Sequence, residues 1–499
     1  MANLPDLTQL SHAQKDELIR ALWPLQQQVQ DLMAQMAVMQ ERIKQLEGRL
    51  AKNSKNSSKP PSCDGLSKPN KPNKPAPASL RASGQKPNGG QKGHSGTTLC
   101  QSTHIDETIE HRADTRCSAC QREMTDHEVI ETRQVFELPQ LHTRTIAHRQ
   151  WRSTCTCGAS HLGVWPQGIN ALAQYGPSVK AMAVHLNQHH LVPLARTATL
   201  MQDLYGVSLS QASIQSFAQE AAQSLRPTVE AIGQAVQKAD IVHADETGIR
   251  VNGKLHWLHW LHCAVTSTLT WLAPHAKRGT QAFEALGLLQ GIQGVLVHDG
   301  LASYKGLDCA HSLCNAHHIR ELVYIHEQEN EKIWDAWAQE MIDLLLQALK
   351  EVDLAAGPLD ASRQAWFEAQ WSALLERGDA FNQPNQRTGT SQDKDLGQRG
   401  QIKQSKAVNL LKRLRQQRQE VWRFMTDVGV PFTNNLAEQA LRMAKIKQRV
   451  SGCFRTEHGA ATFFTIRSYL ATMTKQKANL FVCLISVFKR QIIQPCFSG

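Results

Sequence analysis

Residues 239–251, ADIVHADETGIRV, and residues 294–300, GVLVHDG, share one pattern: an apolar, β-branched run gives way to an acid and then to glycine. Runs of this kind read as strands. Between them KLHWLHWLHCAVTSTLTWLAP (254–274) keeps the same strand character, and a helix is predicted from about Thr280 to Leu289. Strands joined through a helix make an α/β sheet with crossovers. Asp245 and Asp299 are then expected at strand ends, where open α/β sheets hold their ligands.

A third acid stands in PFTNNLAEQALRMAKIKQRVSG (431–452), where Asn434 or Asn435 is placed to cap a helix carrying Glu438, Arg442 and Lys445 on one face. Its surroundings are basic. From Arg399 to Arg455 there are thirteen Lys or Arg and three acids, Glu420, Asp427 and Glu438. A lone carboxylate on a phosphate-attracting surface is easier to understand as a metal ligand beside DNA than as a surface charge. One Asp at a strand end is ordinarily a turn residue. Three acids from separate segments in a basic setting instead suit two Mg²⁺ ions (or Mn²⁺) roughly 4 Å apart, acting on a phosphodiester. Asp245 would bridge both ions, with Asp299 and Glu438 each holding one. Arg442 and Lys445, with Lys447 and Arg449 further along the helix, are candidates for steadying the DNA.

The whole chain has 499 residues, which predicts three or four folded units. Its formal charge of +11 favours a polyanionic partner. Apolar stretches such as FVCLI near Phe481 are far shorter than the roughly 20 residues of a membrane helix. The start, MANLPDLTQL, lacks the basic and apolar regions of a secretion signal, so a reducing cytoplasm, in contact with the nucleoid, is expected. Disulfides are not expected there. The clustering of Cys117-x-x-Cys120 with Cys155-x-Cys157 in a segment of alternating apolar residues predicts a structural Zn²⁺ ribbon. Its second pair is one residue tighter than usual, and His161 is a possible substitute ligand.

Upstream, Leu25, Val29, Leu32, Met36, Met39, Ile43, Leu46 and Leu50 recur in alternating steps of four and three. That is a coiled-coil seam, which predicts a homo-oligomer, and Pro24 suits the first turn of its helix. Residues 51–98 hold nine Lys or Arg against the single acid Asp64, a composition that cannot form a core and that suits a basic linker. Between Tyr175 and Leu225 two helices broken at Gly206, the second capped by Ser208 or Ser210, fit a helix-turn-helix that sets Gln211 to Gln219 near a DNA groove. An ordinary helical hairpin fits the same pattern.

Cys309, His311, Cys314, His317 and His318 form a looser metal-ligand cluster, an argument for a zinc hydrolase. A strand HSLC followed by a helix AHHIREL explains the same residues as packing plus DNA-facing His317, His318 and Arg320. His243 and His298, directly before or close to the acids, read as hydrogen-bonded structural histidines.

HADETGIRVNGKLHWLHW, VHDGLASYKGL, LCNAHHIREL and NNLAEQALRMAKIKQRVSGCFRTEHGAATFFTIRSYLATM, in this order, resemble the large transposase of the insertion-sequence 66 family. The N-terminal seam, the KNSSKPPS tract, GGQKGHSG and the cysteine pairs resemble its N-terminal half. The likeness implies an RNase H-like catalytic fold with a D, D, E triad at Asp245, Asp299 and Glu438. It also implies Mg²⁺, a DNA substrate of element-end repeats and target, and two small accessory proteins from the same element. The expected architecture is multidomain α/β: a coiled coil (1–50), basic linker (51–98), zinc ribbon-like domain (99–170) and helix-turn-helix-like domain (171–235). The RNase H-like domain (236–326 and 406–480) follows, interrupted by a helical insertion (327–405), with a tail over 481–499. A DNA-binding regulator descended from a transposase and devoid of chemistry is the alternative.

Overall fold

The computed structural model describes residues 11–50 and 101–497, apart from 112–115, 117, 124–128, 137, 139–140, 158, 253–257, 330–335 and 385–403. The basic linker lies outside the described residues. Two compact units are formed, one by Met1–Pro69, Gln150–Thr199 and Leu209–Gly499, the other by Asn70–Arg149 and Leu200–Ser208.

In the larger unit, α1 (His12–Leu50) is a 39-residue helix with Pro24 inside it, so the helix starts a full twelve positions before the proline that the sequence suggested. The upstream residues, HAQKDELIRALW, are mostly strong helix formers, which offset the one backbone donor that proline removes. Val29, Leu32, Met36, Met39 and Ile43 of the seam are each more than half exposed. A short hairpin, β1 (Arg152–Thr154) with β2 (Ser160–Leu162), comes next. In the smaller unit the alternating runs near Val135 and Ile146 form no strand among the described residues, where the β pairing of residues 101–149 is a single bridge between Arg116 and Glu123. Val135, Phe136, Leu138 and Ile146 are exposed, so no apolar layer faces them to favour a sheet.

Helix α2 (Pro177–Val184) runs into one π-helical turn, and α3 (Leu194–Tyr205) ends at Gly206, whose φ of +68° turns the chain. Ser210 caps α4 (Gln211–Gln237) by accepting the Ser213 N–H at 3.0 Å. Ile214, Phe217, Ala221, Leu225, Ile232 and Val236 make its apolar stripe, leaving Gln211, Gln215 and Gln219 exposed. Helix α4 is 27 residues long, and it packs on the central sheet and on the helices beside it.

That sheet has the strands β3 (Ile241–Arg250), β4 (Leu258–Val265) and β5 (Thr270–His275), then, after α5 (Thr280–Leu286), β6 (Val295–His298) and β7 (Ala310–Leu313). The order is β5-β4-β3-β6-β7. The β3–β4 and β4–β5 pairs are antiparallel; β6 and β7 add in parallel on the other side of β3. After β7 come α6 (Asn315–Glu329), α7 (Trp337–Ala355), α8 (Ala361–Phe381), α9 (Lys406–Gln416) and α10 (Arg418–Thr426), then α11 (Asn435–Ser451), α12 (Glu457–Lys475) and α13 (Leu480–Phe488). The segment read as a tail therefore begins with a helix, which packs on α2 and α4.

Side chains alternate across a strand. Val242 and Ala244 of β3 join Phe283, Leu296 and Tyr304 in one core, while Ile249 and Val251 join Ala437, Leu441, Phe463 and Phe464 of α11 and α12 in another. Odd-numbered β3 residues thus face α11. A third core, built on Trp337, Phe367, Trp371 and Trp422, unites α6 to α10 with Leu313 of β7. The helices of the expected insertion (327–405) accordingly share one interior with α6 before them and with α9 and α10 after them.

Gly294 lets β6 start beside β3. A β-carbon there would lie 2.3 Å from the carbonyl oxygens of both Ala239 and Asp240, where backbone cannot yield cheaply. Gly294→Ala is expected to destabilise the protein by about 3 kcal/mol, the upper end of ordinary overpacking. A thermal melt of the two proteins checks it; unchanged melting would contradict this packing.

Candidate active site

Asp245 stands in the middle of β3, opposite Cys263 of β4, and not at the strand end. The parallel pairing of β3 with β6 stops at His243, whereas its antiparallel pairing with β4 continues to Arg250. Asp245 therefore lies just past the parallel part of the sheet, on the face toward α11. Its Oδ1 accepts the Glu246 N–H at 2.8 Å. Burial first, then Asp299, Glu246 and Glu438, push its pKa up to about 8. Charges on two remote segments thus add to burial in disfavouring the ionised form of Asp245.

Asp299 follows β6 directly. Its Oδ1 accepts the Leu301 N–H at 3.1 Å, and Gly300 beside it has a φ of +91°, a turn that glycine adopts without strain. Glu438 occupies the first turn of α11 and faces the Arg320 guanidinium at 3.7 Å, with both side chains about three-quarters buried.

Asn434 joins these pieces. Although it takes the capping position of α11, its side chain makes no cap bond. Its Nδ2 donates to Ala244 O at 2.8 Å and its Oδ1 meets His243 Nδ1 at 2.9 Å, so His243 carries its proton on Nδ1. Its backbone N–H points at Cys314 Sγ, 3.2 Å away, and its carbonyl accepts the Glu438 N–H at 3.3 Å. One buried asparagine thereby ties the strand of Asp245 to the helix of Glu438. Nothing in sequence spacing signals this, because the partners are 191 residues apart.

On the opposite face of β3, Glu246 is buried and held by Arg278 at 2.7 Å and by the Tyr304 hydroxyl at 2.6 Å. Burial raises its pKa although both partners oppose the rise. Tyr304→Phe would leave a buried carboxylate oxygen without its donor, and a loss of about 1–3 kcal/mol is expected. Equal urea midpoints for the two proteins would refute the contact.

The histidines divide sharply. His298 Nδ1 accepts the Gly300 N–H at 3.0 Å, which leaves its Nε2–H to donate to His311 Nδ1 at 3.0 Å. His311 in turn directs Nε2 to Leu307 O at 3.2 Å. Burial holds His298 neutral, its pKa down to about 3. These bonds occupy both ring nitrogens of His311, as the packing reading of this segment expects. His318 is buried too, lowered to about 3, and paired with Asn315 Oδ1 at 3.1 Å, so it packs the interior and does not face DNA as the sequence suggested.

His317 behaves differently. It is lowered by burial and Arg320, with Asp299 and Glu438 pulling it back up. Among the described residues, the one trio of metal-competent side chains whose donor atoms lie within 4.8 Å of one another is Cys314, His317 and Glu438. Asp245 and Asp299 stand outside that trio.

Along α11, Arg442, Lys445 and Arg449 are exposed, and Lys445 also donates to Gly248 O at 2.6 Å. Lys447 is turned inward against Phe463, its pKa lowered by burial, because the helix places it on the side that packs on α12. Of the expected zinc ligands, Cys155 and Cys157 are exposed at the β1–β2 turn and Cys120 is exposed, while Cys117 lies outside the described residues. No helix among the described residues is long and apolar enough to cross a membrane.

Residues 173–462 match the family described as Transposase IS66 family. Residues 2–99 match a family of unknown function, DUF6444. No curated protein matches the chain.

Proposed function

The chain belongs to the Transposase IS66 family, and on that footing we propose that it cuts and joins DNA at insertion-element ends by phosphodiester transfer at Asp245, Asp299 and Glu438. A transposase role, and with it DNA binding, follows from the family. What supports the finer reading is the Asn434 bridge between the strand of Asp245 and the helix of Glu438, together with the pKa of Asp245, which burial first and then Asp299, Glu246 and Glu438 raise to about 8. The mixed sheet, with one acid on its central strand, one just after the adjacent parallel strand and one on a covering helix, supports an RNase H-like catalytic fold.

The donors fit a hard divalent cation: oxygen ligands, partly buried, whose mutual repulsion a cation would relieve. Bound there, two Mg²⁺ ions (or Mn²⁺) would supply activation of the attacking oxygen and stabilisation of the leaving one. Asp245, Asp299 and Glu438 would hold them. Asn434 fixes the strand and helix that present two of these acids. Arg320 orients Glu438, and exposed Arg442, Lys445 and Arg449 line a surface suited to the phosphates of element ends and target.

We further propose that α1 associates with its own copy through the exposed seam, since a stripe so apolar is stable in water only when covered. Deleting residues 1–50 is expected to lower the sedimentation mass; an unchanged mass would refute it. A zinc ribbon at Cys117, Cys120, Cys155 and Cys157, and two accessory proteins, belong to the same proposal. The test of the chemistry is strand transfer of a duplex bearing the element's end in Mg²⁺, comparing the parent with Glu438→Gln. Activity in the parent alone supports an enzyme; equal activity in both removes the triad. An inactive parent that still binds the ends favours the regulator.

A further inference from the structure

We propose that Cys314, His317 and Glu438 form a second metal site, selective for a thiophilic divalent cation such as Zn²⁺, whose occupation withdraws Glu438 from Asp245 and Asp299. The withdrawal rests on the phosphodiester-transfer reading; the binding does not. Two helix starts build the site. Cys314 ends the turn between β7 and α6, His317 sits in the first turn of α6, and Glu438 in the first turn of α11, with their donor atoms all within 4.8 Å of one another.

Three further observations point to a ligand. His317 Nδ1 is buried and has no hydrogen-bond partner. The Asn434 N–H is already directed at Cys314 Sγ at 3.2 Å, the contact that steadies a metal-bound thiolate. Cys314 is buried, whereas His317 and Glu438 beside it are partly exposed.

Donor chemistry selects the ion. Magnesium takes hard oxygen ligands and rejects sulfur, whereas a thiolate, an imidazole and a carboxylate together suit zinc. Binding releases the Cys314 thiol proton to solvent, and thiolate plus carboxylate then balance the two positive charges. Three protein donors leave a fourth position for water or an oxygen of DNA. Arg320, held to Glu438 across 3.7 Å, is displaced in the process. The two ions therefore compete for one carboxylate.

The full-length protein, stripped of metal and equilibrated with chelator-buffered Zn²⁺, is compared with Cys314→Ser and His317→Gln. Both variants are expected to hold one zinc equivalent fewer than the parent; the same zinc content in all three overturns the site. His317→Gln, at a less buried position, guards against misfolding of the Cys314 variant. In Mg²⁺ strand transfer, the zinc concentration that halves the rate is expected to rise about tenfold in Cys314→Ser, the usual scale for loss of metal affinity. An unchanged halving concentration overturns the withdrawal of Glu438. Should the parent show no transfer in Mg²⁺ alone, the phosphodiester-transfer reading fails and with it the withdrawal, while the zinc count still decides the site.

Discussion

Asp245→Asn is expected to lower strand transfer by at least about a thousandfold, equivalent to roughly 4 kcal/mol of transition-state stabilisation, and at the same time to raise the melting temperature of the metal-free protein at pH 7. The second effect comes from the sign of the pKa shift. In the folded chain Asp245 is pushed to about 8 from 3.8, by burial first and then by its acidic neighbours. An acid whose pKa rises on folding contributes stability that is complete below about pH 4 and is lost as the pH climbs through about 8. Asparagine carries no such penalty. The variant's advantage should grow between pH 4 and 8 and vanish at the acidic end, with a melting shift on the order of 3 °C per kcal/mol. Adding Mg²⁺ or Mn²⁺ should stabilise the parent more than the variant. A parent that melts higher at pH 7 without metal would show that the carboxylates do not crowd one another.

The Asn434→Ala variant should lose both stability and metal affinity. Alanine orphans His243 Nδ1 and Ala244 O in a region where Asn434 is 1% exposed. Each buried polar group left unpaired costs about 1–3 kcal/mol, so a total of about 2–6 kcal/mol is expected. If asparagine served stability alone, activity measured well below the melting transition would recover. Because it also sets the helix of Glu438 against the strand of Asp245, the Mg²⁺ concentration for half-maximal transfer should rise about tenfold or more. An unchanged metal requirement in the folded variant would confine Asn434 to packing.

Much of the local structure around the candidate acids was legible from residue types. The strand of Asp299 and its following glycine turn, the helix of Glu438 and the Ser210 cap all follow from local pattern, which depends on neighbours a few residues away. Asp245 was misplaced along its strand because the strand's end depends on which partner it pairs with, and β6 is too short to pair beyond His243. Period-two alternation in HADET did carry the signal that Glu246 faces away from Asp245, toward Tyr304. The burial of His318 and the inward turn of Lys447 were not legible because each belongs to a basic or histidine-rich string whose helical phase, not composition, decides which side chains meet solvent. Asn434 was invisible in its true role, since only the folded chain brings it to His243.

The bond between His243 and Asn434 spans most of the distance between the first and last carboxylates. Synthesis runs from the N-terminus, and domains fold as they emerge. On the proposed chemistry, a nascent chain that has released β3 to β7 from the ribosome still lacks α11, and is expected to be inactive while tethered to its own message. Prematurely terminated products would lack the same helix yet retain α1, and on the proposed self-association of its seam they are expected to inhibit complete copies.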